Sequence, residues 1–336
     1  MDFARNDELI CYAVPLTAHR SPLTTHDMLL IDTDPGVDDA LAILMAHAHA
    51  RVLGLSVAAG NVGLAQTTAN ALKLVETIGA NTPVYPGCDA PLMGRPEVGA
   101  SVIHGLDGFG DANLPQSTRR PEGEHGSLAM LRLTREHPNA ITLVCIGPLT
   151  NLAVALKLDP SLPQRVERLV IMGGAVTGRG NYERVPTEFN IGFDPEAAAI
   201  VFDAFSRFEL VDWEATTRHG IDHELMREWF ARGDARARFF EAISAHARRA
   251  NIERGRRGLM AADALAMAVA LCPDIVTSAE ERHVAVETDG RLTRGATVVD
   301  WTGFGGGEPN ARIVLEIDRR RFETLVAAAL GVSAGG

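Results

Sequence analysis

Residues 28–57 read MLLIDTDPGVDDALAILMAHAHARVLGLSV, and this stretch decides the fold. Residues 28–34 form a short apolar run rich in strand formers, and residues 39–49 carry apolar side chains at helical spacing. Residues 52–60 (VLGLSVAAG) again have the composition of a buried strand. Strand, helix and strand in this order predict a βαβ unit, in which two parallel strands are joined by a crossover helix.

The same alternation continues along most of the chain. Helices are predicted over residues 67–78, 127–136, 151–157, 195–205 and 261–271, with buried strands between them that include 208–216 (FELVDWEAT). Residues 224–251 form a long arginine-rich helical stretch, and a β-rich stretch precedes a final helix around 322–330. This pattern predicts an α/β fold with a mostly parallel central sheet flanked by helices, a Rossmann-like open sheet.

The alternation of strands and helices continues without a linker, which bears on the number of domains. No proline-rich or charged linker interrupts it, so we predict a single domain over residues 27–332. Residues 1–26 are of mixed polar composition with little core to bury, and we interpret them as a loose extension.

Composition and charge exclude several classes of protein. The chain has 336 residues, of which 46% are hydrophobic and 22% charged, values typical of a soluble globular protein. With 32 Lys and Arg against 43 Asp and Glu, the net charge is −11, so neither nucleic acid nor an anionic membrane is an expected partner. The cysteines at positions 11, 88, 145 and 272 share no CxxC spacing, which favours buried free thiols over disulfides or a zinc site.

Four acidic residues lie close together in the segment IDTDPGVDDALA (31–42): Asp32, Asp34, Asp38 and Asp39. One or two acids suffice to cap a helix, so four exceed that need. Carboxylates this close repel one another unless a cation or a shared proton relieves them, and an all-oxygen cluster favours Ca²⁺ or Mg²⁺ over zinc. Because the loop follows a strand, it lies at the sheet edge where α/β folds bind ligands, and it predicts a metal site.

Two other acidic motifs agree less well with these residues. An EF-hand loop starting at Asp32 needs Glu at its twelfth position, where this chain has Ile43. A haloacid-dehalogenase-type phosphatase also places a DxD motif at a strand end, but it typically has Thr two positions after the second Asp, where Gly36 stands here.

The acidic segment resembles the amino-terminal signature of the inosine-uridine preferring nucleoside hydrolases, the nucleoside N-ribohydrolases. Further blocks resemble the family in the same order along about residues 28–330. They are residues 59–62 (AGNV), 104–108 (HGLDG), 147–153 (GPLTNLA), 172–175 (MGGA), 188–197 (EFNIGFDPEA), Asp263 with its helix, and 293–300 (TRGATVVD). Each block is weak alone, but the ordered set is specific.

The resemblance implies a reaction and a metal site. The reaction is hydrolysis of the N-glycosidic bond of a ribonucleoside to base and ribose, through a transition state with oxocarbenium character, assisted by a bound Ca²⁺. Asp34 is implied to be a calcium ligand and the base that takes a proton from the attacking water. Asp39, Asp263 and the main-chain carbonyl of Ile146 are implied to complete the metal site, with Asp32 supporting the loop.

The resemblance also implies a substrate pocket. By the resemblance, the side chains that contact the ribose are Asp38, Asn61, Glu188 and Asn190. Asn181 is implied to join Glu188 at the 5′-hydroxyl, and His104 is implied to lie on the side of the base. The chain departs from the family at Ala262, just before Asp263, where many members have His as the acid for the leaving base and purine-specific relatives have Trp. On the stretch 224–251 the leaving-group candidates are His246 as acid, Trp229, Phe239 or Phe240 as stacking surfaces, and Arg249 as donor. For the aromatic residues, ordinary amphipathic packing is the favoured explanation.

The leading hypothesis is therefore a calcium-dependent nucleoside hydrolase acting in purine or pyrimidine salvage. One alternative is a catalytically weak nucleoside- or ribose-binding protein of the same fold, which Ala262 favours. Another is a magnesium-dependent phosphatase, which needs a phosphate-binding Lys or Arg that the acidic loop lacks. The expected partners are a small nucleoside and further copies of the chain in a homodimer or homotetramer. The acidic start of the chain does not resemble a secretory signal, which predicts a cytoplasmic location.

Overall fold

The computed structural model describes residues 28–94, 101–182 and 185–332. The predicted extension of residues 1–26, with Cys11, lies outside these ranges. Within them, eight strands form one sheet, and all its neighbouring strands are parallel except the pair at one edge. The predicted α/β class with a mostly parallel central sheet is confirmed. Cys145 and Cys272 are buried, Cys88 is half-buried, and all three are free thiols.

The elements alternate along the chain as the sequence predicts. The strands are β1 (Met28–Thr33), β2 (Arg51–Val57), β3 (Val84–Pro86), β4 (Ile141–Cys145), β5 (Arg168–Met172), β6 (Phe208–Val211), β7 (Ile221–Asp222), β8 (Gly258–Leu259), β9 (Val276–Arg282), β10 (Val284–Val286), β11 (Thr297–Val299) and β12 (Ala311–Ile317). The helices are α1 (Val37–His49), α2 (Leu64–Thr77), α3 (Ser101–His104), α4 (Gly126–Glu136), α5 (Thr150–Leu158), α6 (Phe189–Phe193), α7 (Pro195–Ala204), α8 (Trp213–Arg218), α9 (His223–Arg232), α10 (Ala235–Glu253), α11 (Ala262–Leu271) and α12 (Arg319–Ala329).

The order of the strands places the ligand-binding edge. The sheet runs β3-β2-β1-β4-β5-β6-β12-β9, and only β9 pairs antiparallel, with β12. Ile31 of β1 lies opposite Leu55 of β2 on one side and Val144 of β4 on the other. The strands that directly follow β1 in the chain, β2 and β3, extend the sheet on one side of β1. The next strands, β4 to β6, extend it on the other side, so the order of the strands reverses at β1. In open α/β sheets ligands bind outside the carboxyl ends of the strands at such a switch point.

Alternate side chains of the central strands enter two separate cores. Leu29 and Ile31 pack with α1, α10 and α11, whereas Leu30 packs on the opposite face with residues of α4, α5 and α7. Alanine-rich α11 packs against α1, and its small side chains let the two helices approach closely. This contact brings Asp263, at the start of α11, to the acidic loop at the start of α1.

Two predicted elements differ from the structure by more than a shift of their ends. The strand predicted over 208–216 ends at Val211, because the Asp212 carboxylate accepts the N–H of Ala215 at 2.8 Å and begins α8. The helical stretch 224–251 is two helices, α9 and α10, interrupted at Gly233. The Asp234 carboxylate starts the second by accepting the N–H of Arg236 at 2.8 Å.

Candidate active site at the carboxyl ends of the central strands

The acidic loop between β1 and α1 is held by its own carboxylates. Asp39, fully buried, accepts the Gly36 N–H at 2.9 Å and the Thr33 hydroxyl at 2.5 Å. It thereby satisfies a backbone donor just before the first turn of α1, where a negative charge is also favoured by the helix dipole. Part of the acidic pattern is therefore helix capping, as its position at a helix start predicts.

Asp34 has one satisfied and one free carboxylate oxygen. Its Oδ2 accepts the backbone N–H of Asn61 at 2.7 Å, while its buried Oδ1 accepts no hydrogen bond from the described residues. Glycines make room for this side chain: a Cβ on Gly60 would lie 2.1 Å from Oδ2, and one on Gly147 would lie 2.5 Å from Oδ1. A buried carboxylate oxygen without a donor needs a cation, a water or a substrate group as its partner.

Asp38, Asp39 and Asp263 form a compact carboxylate cluster, with one oxygen from each within 4.8 Å of the others. The backbone of Ala262 and Asp263, at the start of α11, lies beside Asp38 and partly offsets the effect of burial on its pKa. Burial raises the pKa of Asp38 to about 6. Burial and the neighbouring carboxylates together hold the pKa values of Asp34 and Asp263 well above their usual range. The cluster therefore carries more negative charge than its protein surroundings neutralise.

A cavity of about 430 Å³ opens beside this cluster, a volume typical of small-molecule sites. Most of the predicted site residues line it: Asp38, Asn61, His104, Ile146, Asn181, Glu188, Asn190 and Asp263. Asp34 and Asp39 are buried and do not line the cavity. Asn61 connects them to it, because its Nδ2 donates to Oδ2 of Asp39 and to the carbonyl of Asp34, each at 3.1 Å.

Glu188 and Asn190 join the ends of β4 and β5. Asn190 Nδ2 donates to the carbonyls of Ile146 at 3.0 Å and Met172 at 3.2 Å. Glu188 caps the short helix α6, accepting the N–H of Asn190 with Oε1 and that of Gly174 with Oε2, each at 2.9 Å. Burial raises the pKa of Glu188 to about 7. These contacts fix an acid and an amide side by side on the cavity wall.

His104 and Asn181 lie at further points of the same wall. Nδ1 of His104 accepts the N–H of Val37 at 3.1 Å, which leaves the proton on Nε2, 3.9 Å from Oδ1 of Asp38. Burial lowers the pKa of His104 to about 4, so the ring is neutral near pH 7. Asn181 is exposed, and its Oδ1 accepts the N–H of Phe189 at 2.8 Å.

Comparison with known proteins identifies the family. A sequence model described as the inosine-uridine preferring nucleoside hydrolase matches residues 29–324. This chain belongs to that family. The non-specific ribonucleoside hydrolase RihC of Shigella sonnei is 36% identical over 308 residues, 91% of this chain and 98% of the relative. Membership confirms the predicted enzyme class, a nucleoside hydrolase.

Solved structures of nucleoside hydrolases share the fold. An inosine-guanosine nucleoside hydrolase superimposes with a TM-score of 0.86 at 32% identity, covering 92% of this chain and 100% of the other. A purine-preferring ribonucleoside hydrolase from Gardnerella vaginalis gives 0.84 at 28% identity, covering 90% and 98%. Among the described residues of this hydrolase, no helix combines the length and apolar character needed to cross a bilayer.

The structure does not place the leaving-group candidates of the stretch 224–251 on the cavity wall of this hydrolase. Trp229 and Phe239 are packed in the core, as is Phe240, and the Phe239 ring meets Phe109 edge-on at 5.8 Å. His246 bonds through Nε2 to the carbonyl of Val102 at 3.1 Å, and Arg249 is exposed. The aromatic residues of α9 and α10 face the core, and α10 reaches the cavity only at its carboxyl end. A role of these candidates at the leaving base stays a prediction.

Several residues of the hydrolase cavity were not predicted. They are Val102, Ile103, Tyr182, Phe189, Trp213, Asn251, Arg254, Arg256 and Met260. For Trp213 a signal existed, because it lies two residues after the end of β6, at the sheet edge that carries the other site residues. Arg254 and Arg256 lie in the connection from α10 to β8, where the sequence carries no comparable signal. Ala262 also lines the cavity, so the departure from the family pattern lies within the site.

Proposed function

We propose that this nucleoside hydrolase cleaves the N-glycosidic bond of ribonucleosides with the help of a calcium ion held at the acidic cluster. The observation that carries the proposal is the free Oδ1 of Asp34 within a group of buried carboxylates that adjoins a cavity of about 430 Å³. Cleavage gives a free base and ribose.

The residues of the cluster fit a hard divalent cation. Ligand oxygens on one Ca²⁺ lie 2.3–2.6 Å from the ion, so pairs of them are at most about 5 Å apart, and the three clustered carboxylates meet this limit. Of the proposed ligands, Asp39 and Asp263 belong to this cluster, and Asp34 and the carbonyl of Ile146 are added from the family resemblance. When bound, the ion supplies a lowered pKa for its water and ligand positions for sugar hydroxyls.

Asp34 is proposed as the base that receives the proton of the attacking water. Its Oδ1 is the acceptor, because Oδ2 is already bonded to the N–H of Asn61. The raised pKa of Asp34, caused by burial and by Asp39, gives the carboxylate a higher proton affinity than an exposed Asp has.

The ribose is proposed to lie between the cluster and α6. Hydroxyl groups are hydrogen-bond donors, and the carboxylates of Asp38 and Glu188 and the amide oxygens of Asn61 and Asn190 are suitable acceptors on that wall. Asn181, with Glu188, is assigned to the 5′-hydroxyl. Contacts that strengthen as the sugar approaches an oxocarbenium ion lower the barrier, whereas equal contacts to the ground state do not.

The leaving base is the part of the substrate that the comparisons do not define. The relatives are described variously as non-specific, inosine-guanosine and purine-preferring hydrolases. His104 is assigned to the side of the base, but its neutral ring carries its proton on Nε2, 3.9 Å from Oδ1 of Asp38. Ala262 carries no group for protonating or stacking on the base, which favours a second candidate function: a nucleoside-binding protein with weak catalysis.

Product analysis separates these two functions. Purified protein is incubated with inosine, guanosine, adenosine, uridine, cytidine and p-nitrophenyl riboside, with EDTA and with calcium restored, and released base and ribose are quantified. Chelator-sensitive release restored by Ca²⁺ supports the hydrolase. Calcium and nucleoside binding without release of base or nitrophenol supports the binding protein instead.

Assembly and location are proposed from the family resemblance and the sequence. We expect a homodimer or homotetramer, which light scattering of the eluting species in size-exclusion chromatography tests. A cytoplasmic location stays a prediction from the sequence.

A further inference from the structure

Arg256 is held in a fixed position on the cavity wall by two neighbours. Its guanidinium carbon lies 5.3 Å from the centroid of the Trp213 ring, a cation–π arrangement, and Nη1 donates to Oδ1 of Asn251 at 3.3 Å. Asn251 is buried, and its Nδ2 donates to the carbonyl of Ala247 at 2.8 Å, which fixes the direction of its Oδ1. All three residues, Arg256, Trp213 and Asn251, line the cavity.

The charge of Arg256 lacks a carboxylate partner among the described residues. Its pKa is lowered by burial and by the positive charge of Arg254, which means that the surroundings disfavour the cation. Some other half-buried arginines are paired with a carboxylate, for example Arg294 with Glu196 at 2.6 Å and Arg312 with Glu209 at 2.8 Å, whereas Arg248 packs over the Phe230 ring, which lies in the core and not on the cavity wall. An unpaired, half-buried guanidinium on a cavity wall is suited to a ligand that brings acceptors or negative charge.

The two halves of a nucleoside require different chemistry from the cavity. Ribose hydroxyls donate hydrogen bonds and match the carboxylates and amides around Asp38 and Glu188. The base is flat, offers ring nitrogen and carbonyl acceptors, and gains negative charge as it leaves. A guanidinium beside an indole matches that part of the substrate, because charge placed where it develops in the transition state lowers the barrier.

We propose, on the basis of the hydrolase function above, that Arg256 binds the leaving base and stabilises its negative charge in place of the acid that Ala262 lacks. In the step, the bond between C1′ and the base nitrogen breaks and its electron pair stays on the base. The water oxygen forms the new bond to C1′, and its proton passes to Asp34. Arginine does not release a proton at these pH values, so the departing base takes its proton from solvent.

This role names a substrate class. A guanidinium binds two acceptors side by side, and N7 and O6 of a 6-oxopurine present that pair. Adenine presents N7 with a donor at position 6, and it therefore matches the fork with one acceptor only. Arg256 thus favours inosine and guanosine over adenosine.

The test measures kcat/KM of wild type, Arg256→Gln and Arg256→Lys with inosine, guanosine, adenosine, uridine and p-nitrophenyl riboside. Arg257→Gln is the matched control, since Arg257 is the adjacent arginine, is exposed and does not line this cavity. Thermal unfolding confirms folding of each variant, and calorimetry measures binding of hypoxanthine and adenine. If Arg256→Gln does not fold, Arg256→Lys tests the role of Arg256, because lysine keeps the positive charge and lacks the pair of parallel N–H donors of the guanidinium.

Wild type is expected to prefer inosine and guanosine to adenosine about 10- to 100-fold. Arg256→Gln is expected to lower kcat/KM for 6-oxopurine nucleosides about 100-fold, to weaken hypoxanthine binding, and to leave p-nitrophenyl riboside nearly unchanged, because nitrophenolate is already a stable anion. Arg256→Lys is expected to lose the preference over adenosine. An equal loss on all substrates, unchanged inosine turnover, or a wild type that prefers adenosine to inosine overturns the inference alone. A wild type that cleaves neither nucleosides nor the riboside overturns the proposed function as well.

Discussion

The backbone N–H of Asn61 donates to Oδ2 of Asp34 across 2.7 Å, and this bond leaves Oδ1 of the same carboxylate free. Asn61 follows β2 and Asp34 follows β1, so two adjacent parallel strands end in the two partners. The side chain of Asn61 adds bonds to the Asp34 carbonyl and to Asp39. One residue thus orients two of the proposed calcium ligands.

Asn61→Ala is expected to weaken calcium binding about 10- to 100-fold, because the side-chain bonds that orient Asp39 and the Asp34 backbone are lost. Isothermal titration of the chelator-treated protein with Ca²⁺ measures this effect. Asn81→Ala, which removes an exposed amide outside the cavity, serves as the control. Equal calcium affinity of Asn61→Ala and wild type would contradict the orienting role.

Gly147→Ala is expected to lower kcat about 100-fold, because the new methyl group displaces the Asp34 carboxylate. A displacement of about 1 Å in a catalytic group is enough to lower the rate by this factor. The Cβ would meet Oδ1 of Asp34 at 2.5 Å. Gly63→Ala is the control, since nothing lies within 4 Å of its Cβ and its φ of −64° suits alanine. Similar kcat values for the two variants and wild type would show that Asp34 need not be held there.

Without a cation, the protein is expected to lose stability as the pH rises from 5 to 8. Burial raises the pKa values of Asp32 and Glu188 to about 7, from ordinary values of 3.8 and 4.5. Between the ordinary and the raised values the folded protein keeps protons that the unfolded chain releases, so the free energy of unfolding falls with pH. Tm measured in EDTA between pH 5 and 8 checks that stability falls as the pH rises.

Calcium should reverse part of this loss. Neutralising the ionised carboxylates stabilises the folded protein, so adding Ca²⁺ is expected to raise Tm more at pH 8 than at pH 5. A Tm in EDTA that rises between these pH values, or a calcium effect larger at pH 5, would be inconsistent with a cluster of buried acids that binds the ion.

His246→Ala is expected to leave kcat/KM for inosine and for p-nitrophenyl riboside nearly equal to wild type. His246 bonds to the carbonyl of Val102 and does not line the cavity. A proton donor for the base would instead affect the natural nucleoside far more than the activated riboside. A selective loss of inosine turnover would therefore restore His246 as the acid.

The sequence predicts the parts of the site that lie close to strand ends. The apolar run before Asp34 and the helical spacing after it predict β1 and α1, and parallel strands bring residues that follow β2 and β4, Asn61 and Ile146, to the same edge. Asp263 came from the family resemblance, because no local pattern shows that α11 packs against α1. The break between α9 and α10 was missed because the apolar spacing continues across Gly233.

The base-binding side could not be predicted in the same way. On α10 the residues Phe239, Phe240 and Ile243 recur at helical spacing, and that pattern does not distinguish a face in the core from a face on a cavity. Trp213, Asn251 and Arg256 come from separate elements, so only the folded chain shows that they meet.

The most direct test of the central claim is the turnover of Asp34→Asn at saturating calcium, measured with inosine and p-nitrophenyl riboside, alongside its calcium affinity and Tm. The account predicts a loss of kcat of about 100- to 10,000-fold on both substrates in a protein that stays folded, since the base that receives the water proton is gone. Turnover of either substrate at a rate near that of wild type would contradict the role of Asp34.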